Sequence, residues 1–124
     1  HHPTEINSVL ESLKVTSDNR KIVTVFQPHR YSRLKLLKKD FSIAFKDSDL
    51  VVLCPVYAAG EKIDKKYNSI NFAKLISKNS KVQVFIVKNE YDLKKFFVKN
   101  LLDDEIVVCM GAGSISKWIR EMDL

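Results

Sequence analysis

Four short and almost wholly apolar runs punctuate this chain of 124 residues, at positions 22–26, 50–54, 82–87 and 106–110. Each has the length of a strand and no alternation, the pattern of a strand buried on both faces. Between and around them the apolar residues change period. Ile6, Val9, Leu10 and Leu13 fall at i, i+3, i+4 and i+7, one face of a helix. Leu34, Leu37, Phe41, Ala44 and Phe45 trace a second stripe to about residue 46. Ile70, Ala73 and Ile76 mark a third, and Leu93, Phe96, Phe97 and Leu101 a fourth. Ile115, Trp118, Ile119 and Met122 mark a fifth. Strands alternating with amphipathic helices require a sheet covered on both sides. The fold class is therefore α/β: a doubly wound, mainly parallel sheet in a Rossmann-like three-layer domain, with right-handed crossovers. Residues 1–124 read as a single domain, without repeats or linkers, and 62–68 as its one mobile stretch. Thr4 reads as the first helix's N-cap.

Composition narrows the function classes. Hydrophobic residues make up 45% and charged residues 29%, as in soluble globular domains. No apolar stretch approaches the roughly 20 residues of a membrane helix, and nothing at the start resembles a signal peptide. A cytoplasmic protein without a membrane partner is expected. The net charge of +6 raises the question of nucleic acid, yet 17 of the 21 basic residues are lysines scattered along helices beside acids. A nucleic-acid face clusters Arg and Lys with aromatics, so no such partner is expected. Cys54 and Cys109, both in apolar runs, read as buried free thiols, and no metal site is expected.

The scarce residue types gather where strands end. In an open α/β sheet those corners are where ligands sit. After the first strand comes Gln27-Pro28-His29-Arg30-Tyr31-Ser32-Arg33, holding two of the chain's four arginines. With a helix beginning near Arg30, residues 30 and 33 share a face. Two guanidiniums there suit a carboxylate or phosphate. After the second strand comes Tyr57-Ala58-Ala59-Gly60-Glu61, where Glu61 could hold an ammonium group. After the fourth comes Gly111-Ala112-Gly113-Ser114, a GxG without the last glycine of a dinucleotide fingerprint. No phosphate loop, HExxH or Ser/His/Asp set is present. The chain holds no complete catalytic machine. Read from residues alone, a stand-alone Rossmann-like module for a small anion or nucleotide remains an alternative.

The motifs His-His-Pro-Thr-Glu-Ile at 1–6, Phe-Gln-Pro-His-Arg-Tyr-Ser-Arg at 26–33, Tyr-Ala-Ala-Gly-Glu at 57–61 and Met-Gly-Ala-Gly at 110–113 together resemble the C-terminal domain of the Mur ligase family, in its alanine-adding branch. The resemblance runs the length of the chain. It implies a piece of a three-domain, ATP-dependent, amide-forming enzyme of peptidoglycan synthesis. That enzyme activates the carboxylate of UDP-N-acetylmuramate as an acyl phosphate, which the amine of L-alanine attacks. ATP and magnesium would be held mainly by a central domain, and this domain alone would be inactive. By the same resemblance Arg30 and Arg33 would grip the alanine carboxylate, His29 and Tyr31 would shape the pocket, and Tyr57 and Glu61 would border it. His1 and His2 would lie near the nucleotide. No residue here is expected to be catalytic. Ser114 departs from the family pattern, which more often has Asp or Asn after Gly-Ala-Gly.

Overall fold

The computed structural model describes residues 2–102, 104–111 and 114–121. Nine elements alternate along it: α1 (Pro3–Thr16), β1 (Ile22–Phe26), α2 (Tyr31–Ser42), β2 (Leu50–Leu53), α3 (Ser69–Ser80), β3 (Gln83–Ile86), α4 (Glu90–Asn100), β4 (Ile106–Met110) and α5 (Ser114–Glu121). The strands form one wholly parallel sheet in the order β3-β2-β1-β4. The expected α/β class therefore stands. Because β4 lies on the far side of β1 from β2, the winding reverses between β1 and β4. That reversal is the topological switch point of such sheets.

Side-chain alternation along β1 sorts the core into two layers. Phe26 meets Phe41 and Phe45, with ring centroids 5.4 and 5.1 Å away, in a layer that also takes Ile6, Leu10, Phe72 and Ile76. Val23 and Val25 face the other way, onto Leu93, Phe96, Phe97 and Ile115. Helices α1, α2 and α3 thus cover one face, and α4 and α5 the other.

Several local expectations need correction. α1 is capped by His2, whose Nδ1 accepts from the Thr4 N–H at 3.2 Å, and not by Thr4 itself. α2 stops at Ser42, with non-helical backbone at Leu37. Ala44 and Phe45 are still buried, held in a turn where the Ser80 hydroxyl donates to Ser42 O (2.6 Å) and accepts from Phe45 N–H (3.1 Å). Val9 and Ile70 fall outside their buried stripes and are exposed; α3 buries Phe72, Ala73 and Ile76 instead. Full burial holds for β1 and nearly so for β2, whereas the edge strands are half open, and Cys109 on β4 is exposed. Cys54 is buried, and burial first, then Cys109, pushes its thiol pKa up to about 12. Met122 lies outside the described residues. Among the described residues no helix is long and apolar enough to cross a membrane.

Candidate functional site

Beyond β1 and β2 the two chains stay together for one further step. The Tyr57 N–H donates to Pro28 O and the Arg30 N–H to Tyr57 O, each at 2.8 Å, forming an isolated parallel bridge between His29 and Tyr57. Their rings stack with centroids 5.7 Å apart and planes 22° apart. The bridge fixes where the chain must turn into α2, and the turn is strained. Arg30 is the N-cap, with φ 67° and ψ 134°, a region that residues with a Cβ seldom adopt. Arg30 therefore precedes the helix and does not share a helical face with Arg33 in the simple way its spacing suggests.

The electrostatics of this corner are one-sided. Arg30 and Arg33 stand at the positive end of α2, whose first turn holds no acid. Arg30 is exposed and Arg33 half-buried. Among the described residues neither guanidinium makes a hydrogen bond or a direct ion pair. Among the described residues the carboxylate brought near is Glu61, and both its oxygens are committed. Oε1 accepts from the Ser32 N–H at 3.2 Å and Oε2 from the Ser32 hydroxyl. Glu61 thus caps α2 from a neighbouring loop. The Ser32 hydroxyl, above all, holds its pKa below the ordinary carboxylate value, with a smaller contribution from the Arg30 charge. A lowered folded pKa means that this cap stabilises fully above the ordinary value of 4.5 and fades as pH falls through the folded value. Thermal melts of the parent and Glu61→Gln should differ at pH 7 and converge toward pH 3. A gap that stays constant with pH would rule out this cap.

The remaining site residues divide between two places. Tyr31 packs edge-on against Tyr67 (5.8 Å), which in turn meets Phe72 (6.4 Å). The stretch expected to be mobile is thereby pinned at its end. Burial pushes the Tyr67 hydroxyl pKa up, and that hydroxyl has no partner among the described residues. Thus His29, Arg30, Tyr31, Arg33, Tyr57 and Glu61 all converge on one corner. His2 does not join them. It borders a cavity of about 390 Å³ with Asp40, Ile43 and Lys46, at the other end of α2. From residue 30 to residue 40 a helix rises roughly 15 Å. His1 lies outside the described residues.

One residue of the motif after β1 has a structural part that the sequence reading did not give it. Gln27, only 2% exposed, fills the switch point between β1 and β4. Its Nε2 donates to Pro55 O (3.1 Å) and to Ser114 Oγ (2.9 Å), while Oε1 accepts from the Ile115 N–H (3.2 Å). The Ile115 amide, in the first turn of α5, is thereby already used. Gly111 is required here for a steric reason: a Cβ on it would sit 2.6 Å from Gln27 O, and its φ is +144°. Ala112 and Gly113 lie outside the described residues. The signal for Gln27 was a lone amide ending an apolar strand, since a buried amide must find partners. Among the described residues no group of three or more His, Cys, Asp or Glu could hold a metal ion.

Comparison with known proteins bears on the corner and the fold together. No family model matches the chain. The UDP-N-acetylmuramate–L-alanine ligase of Pelagibacter ubique (strain HTCC1062) is 52% identical over 98% of this chain and 26% of its own length. That of Rhodospirillum rubrum is 39% identical over 98% of this chain and 25% of its own length. A solved UDP-N-acetylmuramate–alanine ligase from Thermotoga maritima matches with a TM-score of 0.67 at 28% identity, over 97% of this chain and 23% of that one. The chain spans about a quarter of the length of the curated relatives it matches. A wholly parallel, helix-covered sheet with its switch point between β1 and β4 is a Rossmann-like α/β domain. The chain belongs to the Mur ligase family and corresponds to its C-terminal domain.

Proposed function

We propose that this domain binds L-alanine for an ATP-dependent ligase that joins it to UDP-N-acetylmuramate in cytoplasmic peptidoglycan synthesis. Arg30 and Arg33 hold the alanine carboxylate. The observation that carries this reading is the pair of guanidiniums without hydrogen-bonding partners among the described residues, set beside a backbone held in a costly conformation at Arg30. Such strain persists where the surroundings impose it, and it gathers at ligand sites. The stacked His29 and Tyr57 form one wall of the corner, and Tyr31, braced on Tyr67, forms another. Glu61 serves by holding the start of α2, and so Arg33, in place.

The corner supplies charge and shape to the substrate, and the chemistry belongs to the rest of the enzyme. The domain is one part of a three-domain enzyme and is inactive alone. ATP and magnesium are held mainly by the central domain of that enzyme. His2, at the far end of α2, lies toward the nucleotide side. Arg33→Ala in the intact ligase should raise the KM for alanine at least tenfold and leave that for ATP within about twofold, given roughly 1.5–3 kcal/mol for a hydrogen bond to a charged group. The 124-residue chain alone should give no calorimetric heat with millimolar alanine. An unchanged alanine KM would sink the proposal, and tight binding by the chain alone would contradict a site completed by the neighbouring domains.

A further inference from the structure

Away from the arginine corner, the other edge of the sheet carries a second surface. Among the described residues β3 pairs on one side only, with β2. Its Val87 neighbour donates its N–H to Leu53 O at 3.0 Å. Backbone groups along a strand alternate between its two edges, so those of Val84 and Ile86 face outward. Beside this open edge lies a groove of about 610 Å³ between β3 and α4. Phe85 and Phe96, with centroids 5.1 Å apart, form its floor. Tyr91 and Val98, 68% and 71% exposed, line its wall. Large apolar side chains left open beside an unpaired strand are a template for another chain.

The groove's charge selects the occupant. Lys94, Lys95 and Lys99 line it against a single acid, Asp92. Asp92 is already engaged, its Oδ2 accepting from the Lys88 N–H at 3.1 Å. Lys95 Nζ lies 5.2 Å from the Tyr91 ring centroid, and among the described residues none of the three ammonium groups has a carboxylate partner. A second copy paired edge to edge would bring lysines against lysines. A membrane surface would leave the Val84 and Ile86 backbone groups without the hydrogen bonds that an added strand supplies.

We propose that the groove between the open edge of β3 and α4 docks an extended peptide segment of a partner protein, one that mixes apolar and acidic residues. The segment adds to β3 through the backbone of Val84 and Ile86. Its apolar side chains rest on Phe85, Phe96 and Val98, and its carboxylates meet Lys94, Lys95 and Lys99. The test is selection of a displayed library of random decapeptides on the intact ligase, with counter-selection on its Val98→Glu variant. Recovered sequences should combine apolar and acidic residues. A synthetic one should protect the Val84 and Ile86 amides from hydrogen exchange. It should also bind at least tenfold more weakly to the Lys94→Glu/Lys99→Glu variant, with Lys94→Gln/Lys99→Gln in reserve if charge reversal harms folding. The proposal is overturned by no enrichment, by basic sequences, by unprotected amides, or by indifference to the lysine changes. It is equally overturned if Val98→Glu instead abolishes binding to phosphatidylglycerol vesicles, the mark of a membrane surface, or breaks a dimer seen by sedimentation, the mark of a second copy.

Discussion

Replacing Arg30 by glycine should make the domain melt higher while the intact ligase loses about 30- to 1000-fold in kcat/KM for alanine. The two effects come from different parts of one residue. The backbone at φ 67° and ψ 134° costs on the order of 1–3 kcal/mol for a side chain with a Cβ. Glycine removes that cost but adds up to about 1 kcal/mol of unfolded-state entropy. A net gain of about 1 kcal/mol corresponds to roughly 3–5 °C for a domain of this size. On the proposed reading the guanidinium, in turn, supplies a charge-assisted grip on the alanine carboxylate worth about 2–4 kcal/mol. Arg30→Ala separates the two: it keeps the strain, so the melting temperature should not rise, but it loses alanine equally. Arg30→Lys should fall between, since an ammonium offers charge without the planar fork. Thermal melts of the 124-residue chain and steady-state kinetics of the intact enzyme decide the matter. A glycine variant that melts lower, or one whose ATP KM rises as much as its alanine KM, would show that Arg30 supports the fold and not the substrate.

The conformation of Arg30 also marks the boundary of what the residues disclose. The residue type and its place after a strand were legible, because β1 is apolar throughout and ends in a run of polar and ring-bearing side chains. Its positive φ was not, since that value is imposed by the bridge to Tyr57, 27 positions away, and arginine gives no local warning. The same holds elsewhere. The buried central strands announce themselves, but which strands lie at the edges depends on the order β3-β2-β1-β4, so the exposure of Cys109 could not be read from its apolar neighbours. The end of α2 was masked because Ala44 and Phe45 continue its apolar stripe while a turn, tied by Ser80 from α3, carries them. Tyr67 sits in a polar loop whose composition suggests mobility, and no local signal announces that its ring packs between Tyr31 and Phe72. Six of the eight proposed site residues meet at one corner because strand ends converge there by construction of the fold, whereas His2 is placed by α1, which obeys no such rule.

Gln27→Leu should destabilise the domain by about 2–4 kcal/mol, although leucine suits the end of an apolar strand and nearly matches the amide in size. The loss lies in what is left behind. Without the amide, the buried Ile115 N–H, Pro55 O and the Ser114 hydroxyl each lose a partner. An unsatisfied buried group costs roughly 1–3 kcal/mol, offset in part by the burial of leucine, about 1.5–3 kcal/mol. Gly111→Ala attacks the same corner from the other strand. Its Cβ would lie 2.6 Å from Gln27 O and 3.1 Å from Gln27 Cβ, and backbone cannot yield as a side-chain tip can. With the strain of φ +144° added, a cost of about 2–4 kcal/mol is expected. Urea unfolding of the single and double variants should show less than additive loss, since either change alone opens the corner. Gln27 leads directly into Pro28, His29 and Arg30, so each variant should also raise the alanine KM of the intact enzyme without touching the substrate. Full additivity in stability, or unfolding within 0.5 kcal/mol of the parent for Gln27→Leu, would mean that water already satisfies these groups. In that case the switch point would be open to a ligand after all, and the arginine corner would have a neighbour site between β1 and β4.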